Sequence, residues 1–306
     1  MAPGRYASRT PRLAAPRSPY DPRPVDEPFY EPDGERFAAT EWTRGPWDAD
    51  AQHAGPPAAL IGRAIERLPS DEPLQVARIT FEVLRPVPIA PLSVAAEVVR
   101  PGRRVELVEA RIEDPGGEAV MRARGWRLRR GVVAVPDFLT SAGGGPGPQA
   151  PAGTLAPGQG PPGPEAGEAR EFFATGHEVG YHAAMEYRFT SGAFTEPGPA
   201  VAWMRMRGPL VAGEEPSPLE RVLVAADSGN GISATLDWRR FTFVNVDLSV
   251  HLGRMPEGEW VCLASITLPE RTGIGLADTA LYDQRGPIGR ADQTLLVQPR
   301  AAGEAG

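Results

Sequence analysis

The chain contains no lysine: all 32 of its basic residues are arginine. Chemistry that needs a lysine, such as a P-loop phosphate cradle, a kinase ATP site or a Schiff base, is therefore excluded. Cysteine is nearly absent too. The single Cys262 cannot form an internal disulfide. The four histidines stand apart without HExxH or CxxC spacing, so neither a metal nor another cofactor is expected. A reducing cytoplasm suits this cysteine usage. Residues 1–25 hold no apolar run long enough for a signal peptide or a membrane span. Acidic residues outnumber basic ones 39 to 32, a formal charge of −7. That balance argues against nucleic acid or an anionic membrane as partner and for a small or neutral ligand.

Glycine and proline, 35 of each, are over-represented instead. Part of the excess lies in residues 1–25, where five arginines and six prolines occur without a hydrophobic period, as in a disordered N-terminal arm. A second concentration lies in residues 136–167, where 17 of 32 residues are glycine or proline, as in a linker. Removing both leaves residues 26–135 and 168–300, each the size of a compact domain.

The two pieces carry the same pattern. In the first, Pro56 and Pro57 open an apolar face at Leu60, Ile61, Ala64, Ile65 and Leu68, which predicts one buried helix. Strand-like runs follow at 76–84, 92–99, 104–113 and 118–128, separated by Pro and Gly turns. In the second, Pro218 opens a helix with Leu219, Val222, Leu223 and Ala226 on one face, closing at Gly229 or Gly231. Strands follow at 241–252, 260–268, 273–282 and 288–298. Each unit has a further strand before its helix, at Phe37–Trp42 or Ala200–Arg207. Turn residues repeat at offsets of 168 (Pro101 and Pro269, Arg103 and Arg271) and 169 (Asp114 and Asp283, Gly117 and Gly286). The expectation is an α+β chain of two copies, each a long antiparallel sheet wrapped around one helix, with the sheets joined edge to edge.

Several short stretches add a resemblance. They are His53-Ala54-Gly55-Pro56-Pro57, Phe81-Glu82-Val83-Leu84-Arg85-Pro86 and Pro101-Gly102-Arg103 in the first piece. In the second they are Ala226-Asp227, Asn245-Val246-Asp247-Leu248-Ser249 and Gly289-Arg290-Ala291-Asp292-Gln293. Their order and spacing resemble the TesB-like (type II) acyl-CoA thioesterases, which have a tandem, or double, hotdog fold. The resemblance implies that an Asp, a Thr or Ser, and a Gln of the second unit hold the water that attacks a thioester. Those positions fall on Asp227, Asn245 and Gln293, with asparagine in place of the hydroxyl residue.

Each of these residues also has a plain structural reading. Asp227 sits beside a buried helix face, where a carboxylate needs partners or a catalytic reason. Residues 244–252 alternate, with Val244, Val246, Leu248, Val250 and Leu252 on one face and Asn245, Asp247, Ser249 and His251 on the other, as in any half-exposed strand. Gln293 shares a face with Leu295 and Val297 and must find hydrogen-bond partners. His53, Gly55 and Gly229 are candidate substrate-binding positions; for the His53–Pro57 turn at the start of the first helix the reason is that free backbone N–H groups there receive carbonyl or phosphate oxygens. The arginines at 122, 124, 127, 129 and 130 can meet phosphates or form a solvated strand face. Cys262 lies in an apolar strand with no base beside it and is no nucleophile.

The leading expectation is an acyl-CoA thioesterase that releases a free fatty or related acid by activated water. Its partner is acyl-CoA or an acyl-carrier thioester, with a homo-oligomer allowed. The rival, motivated by Asn245, is a non-catalytic acyl-thioester binding module. A weaker third is a hotdog hydratase or dehydratase, since Asp227-Ser228-Gly229-Asn230-Gly231 resembles that Asp-x-Asn element, but no histidine follows it.

Overall fold

The computed structural model describes residues 27–134 and 160–300. The arm at 1–25 and residues 136–159 of the linker lie outside the described residues. The first half runs β1 (Tyr30–Asp33), β2 (Arg36–Ala39), a 3-10 turn (Glu41–Thr43), α1 (Gly55–Glu66), β3 (Leu74–Val83), β4 (Pro91–Arg100), β5 (Val105–Glu113) and β6 (Ala119–Arg129). The second half opens with a 3-10 turn (Pro164–Ala166), α2 (Tyr181–Ala184), β7 (Met185–Ser191), β8 (Ala200–Met206), α3 (Pro218–Ala226) and α4 (Gly229–Ile232). It continues with β9 (Phe241–Asn245), β10 (Asp247–Leu252), β11 (Val261–Pro269), β12 (Ile274–Asp283) and β13 (Gly286–Pro299).

All strands pair antiparallel in one sheet of order β1-β2-β4-β5-β6-β3-β10-β13-β12-β11-β8-β7, with β9 continuing alongside β13. The halves meet where β10 pairs with β3, Ser249 opposite Thr80, and the two hydroxyls hydrogen-bond at 3.0 Å. This is the double hotdog: each sheet wraps a helix, and the alternating apolar residues of the strands pack on α1 and α3 in one core. The repeated turns are present at both places. Asp114 Oδ1 accepts from the N–H groups of Gly116 and Glu118, and Asp283 Oδ1 accepts from that of Arg285. Gly117 and Gly286 each adopt the positive φ that closes such a hairpin.

The helices are antiparallel neighbours. Proline in its first turn presets the backbone of α1, while Ser217 and Glu220 form a reciprocal capping box that starts α3. The predicted second helix is broken. Ser228 N–H bonds back three residues to Ala225 O, a tightened turn that ends α3 at Ala226 before α4 begins.

Two further departures follow from packing. Residues 160–167, which composition assigns to the linker, lie across the outer face of the second sheet. Pro162 O accepts from the Trp203 indole at 2.6 Å, Pro164 is buried, and Glu168 pairs with Phe189 on β7. That face carries Trp203, Cys262, Ala280 and Tyr282, an apolar surface that needs a cover. The run 241–252 is two strands, because Asn245 faces Leu295 while Ser249 faces Asp292. One extra residue is therefore accommodated around Val246. This bulge reverses the alternation, so Phe243 and Asn245 point to the same inner face as Leu248 and Val250, and Val244 and Val246 are exposed.

Candidate active site

The start of α1 and the end of α3 meet over β13. The loop before α1 is pinned by His53 N–H to Thr43 O at 2.8 Å and Gln52 N–H to Val87 O at 2.8 Å. Gly55 is required here: a Cβ at this position would stand 2.3 Å from Val224 O of α3. Bringing the two helices this close sets His53 Nδ1 3.1 Å from Asp227 Oδ2.

Asp227 is the centre of the cluster and is buried. Its Oδ1 accepts from Asn245 Nδ2 at 2.8 Å and from Gln293 Nε2 at 3.0 Å. Gln293 also donates to Asp227 O at 3.1 Å and accepts from Asn230 N–H at 3.1 Å, so the glutamine stitches the broken helix end to β13. Burial raises the Asp227 carboxyl to about 7, against opposing hydrogen bonds from Asn245, Ala54 N–H, Gln293 and Gly55 N–H. Burial lowers His53 to about 3, so the imidazole is neutral. Its Nδ1 accepts from Gly55 N–H at 3.1 Å, and in that tautomer the proton of the His53–Asp227 contact belongs to the carboxyl. Tyr181 stacks on the imidazole with ring centroids 3.6 Å apart, and its hydroxyl bonds Val224 O at 2.7 Å and Ser228 Oγ at 2.9 Å.

The cluster opens into a cavity of ≈ 540 Å³, within the usual range for a small-molecule site. His53, Asp227, Asn245 and Gln293 all line it, with Arg85 and Arg300 also on its wall. Gly229 does not: a Cβ there would meet Thr279 Oγ1 at 2.5 Å and Gln293 Oε1 at 3.3 Å, so it packs against the sheet, while Asn230 and Gly231 reach the cavity. Arg122 and Arg124 lie elsewhere, on the exposed side of the first sheet facing Glu109 and Arg111. Arg127 is buried in a pair with Glu106, so the arginine run forms no phosphate site at this cavity. Cys262 is buried on the opposite side of its strand from the core, its thiol pushed up by burial. Among the described residues no group of three or more His, Cys, Asp or Glu could hold a metal ion, and no helix is long and apolar enough to cross a membrane.

Much of the remaining wall comes from residues that the periodicity reading passed over. Phe172, Phe173, Tyr181, Tyr187 and Phe194 all line the cavity. The signal was their density, since with Phe189 they place six of the chain's 22 aromatic residues (6 Trp + 6 Tyr + 10 Phe) between positions 172 and 194.

Two family domains match this chain: the acyl-CoA thioesterase N-terminal domain over residues 43–128 and the acyl-CoA thioesterase C-terminal domain over residues 157–297. The chain belongs to the TesB-like double-hotdog thioesterase family. Solved structures share the family fold at low identity. A protein provisionally described as a thioesterase II from Thermobifida fusca YX is 16% identical with a TM-score of 0.64, covering 92% of this chain and 100% of its own. A hot dog protein of unknown function from Alicyclobacillus acidocaldarius is 15% identical with a TM-score of 0.61, covering 89% and 96%. The acyl-CoA thioesterase II TesB2 of Mycobacterium marinum is 13% identical with a TM-score of 0.54, covering 83% and 91%. No curated protein matches the chain.

Proposed function

We propose that this protein hydrolyses an acyl-CoA thioester, with Asp227 as general base. The observation that carries the reading is a buried carboxylate that titrates near neutrality on the wall of an apolar cavity. The ionised Asp227 takes a proton from a water lodged beside Asn245. The water oxygen bonds to the thioester carbonyl carbon, the C–S bond breaks, and the proton passes from Asp227 to the departing thiolate. Asn245 and Gln293 hold the carboxylate in place, and Gln293 acts as a positioning residue because its amide bonds Asp227 and Asn230. With Asp227 ionised, the neutral His53 faces its second oxygen as the Nδ1–H tautomer and donates to it. Arg85 and Arg300 supply positive charge for a phosphate-bearing carrier. A second reading, acyl-thioester binding without turnover, is favoured by one feature: Asn245 directs its amide N–H to the carboxylate, where the family has a hydroxyl.

Thiol release from acyl-CoAs of increasing chain length, followed with a thiol-reactive dye, separates the two. Hydrolysis rising about tenfold per pH unit up to about 7 and levelling above it supports the base. Saturable binding with no thiol release establishes the binder.

A further inference from the structure

The outer face of the long sheet turns away from α1 and α3, and an antiparallel sheet that meets water on one side carries polar side chains there. Part of this face does not. Its Trp203, Cys262, Ala280 and Tyr282 are covered by residues 160–167, but a second apolar group stays open. On β11, β12 and β13, Leu268 lies opposite Leu276 and Ile274 opposite Leu296. All four are exposed, Ile274 to 59%. The first half repeats the feature at the offsets of the turns: Val105, 169 residues before Ile274, lies opposite Leu128, 168 before Leu296, and both are exposed. Thr80 and Ser249, also 169 apart, face each other at the seam. An approximate two-fold there relates the halves and sets the two patches on opposite sides of it. Further along the same strands the face is charged, and the halves differ in sign. Arg111 lies opposite Arg122 on β5 and β6, beside a depression of ≈ 960 Å³, whereas Asp278 lies opposite Asp292 on β12 and β13. Like charges directly opposite destabilise a strand pair. Arg111 reaches Glu113 and Arg290 pairs with Asp278, yet partial burial and the neighbouring Asp278 still raise the Asp292 carboxyl.

We propose that this outer face is a dimer interface: a second copy of the chain packs on it so that the first half of each covers the second half of the other, apolar patch on apolar patch and arginine pair on aspartate pair. Three features select a second copy as the occupant. Contiguous exposed apolar side chains, unlike scattered ones, mark association surfaces. The patches have the same make-up on opposite sides of the seam, an arrangement that an isologous contact covers twice over and a single segment of chain does not. The charge pairs are opposite in sign, so unlike halves in contact satisfy both, whereas like halves would set arginine against arginine and aspartate against aspartate. The interface is independent of the reaction assigned to the cavity.

Sedimentation of the full chain at micromolar concentration should give twice the chain mass. Ile274→Glu with Leu296→Glu puts two carboxylates into one patch at positions exposed in the single chain. The fold, followed by circular dichroism, should be kept while the dissociation constant of the dimer rises about a hundredfold or more. Charge reversal gives a second test that leaves the patches alone. Arg111→Asp with Arg122→Asp makes both halves acidic, and Asp278→Arg with Asp292→Arg makes both halves basic. Each of these variants by itself should be monomeric, and an equimolar mixture of the two should form a heterodimer, because every contact then joins unlike charge. A monomeric wild type overturns the proposal. So does a dimer that neither the glutamate pair nor the charge reversals weaken, or a mixture of the two reversed variants that stays monomeric. If the glutamate pair unfolds the chain, the reversed variants and their mixture decide.

Discussion

Because α1 and α3 run antiparallel, each end of the pair sets one helix's start against the other's finish, and the two ends treat that juxtaposition differently. At the cavity end, Asp227 follows the last turn of α3, a negative group at the negative end of its own helix. It is tolerated because Ala54 and Gly55 N–H groups at the start of α1 lower its cost. At the far end, Ser217 Oγ donates to Glu66 Oε2 at 2.6 Å, and Arg63 and Arg67 both donate to Glu214. The buried Arg127 donates to Ile65 O at 3.2 Å and Leu68 O at 2.9 Å, placing a cation at the carboxyl end of α1. The depression beside this end is lined by charged residues such as Arg205, Glu215 and Arg221 where the cavity has rings. At the far end Arg63 and Arg67 hold Glu214 below its ordinary value, while burial raises Glu66 and brings Glu220 to about 7, but Glu220 is engaged in the capping box of α3. Asp227, facing an imidazole that stays neutral, has no cation and keeps a proton available near pH 7.

The sharpest way to break the comparison is Asp227→Asn, expected to lower turnover ~100-fold or more with little change in KM. The same variant should be more stable at high pH. The folded carboxyl titrates near 7 against an ordinary 3.8, so folding is favoured most below about 4 and loses that contribution as pH climbs through 7. Asparagine reproduces the neutral form, with its NH₂ toward His53. The melting temperature of Asp227→Asn should therefore exceed wild type at pH 8 and match it near pH 4.

Arg127→Met tests the opposite end. It leaves Glu106 buried without its partner, so urea unfolding should show a loss of about 3–5 kcal/mol, with turnover per folded molecule retained. A loss of turnover with stability intact would contradict the division of roles.

Asn245 probes the cavity end more gently. Asn245→Thr should keep or raise activity, and Asn245→Leu should lower it about tenfold or more by removing a hydrogen bond to a charged group; equal rates for the two variants would separate this residue from the chemistry. The smallest effect belongs to Ser217→Ala, which removes the N-cap of α3. About 1 kcal/mol of stability should be lost with unchanged kcat/KM, and a kinetic change would mean that the two ends are coupled.

Much of this was legible before any fold. The helical spacing from Leu60 to Leu68, the proline start at Pro218 and the Asp-x-x-Gly turns at 114–117 and 283–286 are local signals, and they return in the structure as α1, α3 and two matching hairpins. Gln293 among apolar neighbours called for buried partners, and it has them. The facing of Asn245 was misread, because strict alternation cannot show a bulge whose cause is the register of β13 against two strands. Gly229, a candidate substrate contact in the sequence, instead packs against the sheet, because the helix turn points it at Thr279.

The sequence by itself determined the repeated unit, since propensity, apolar period and turn chemistry act between near neighbours along the chain. Only the tertiary structure decided that residues 160–167 cover the second sheet, that Asn245 faces inward, and that Asp227 loses its water. Those properties depend on strand register and desolvation, which are set by residues far apart in the chain.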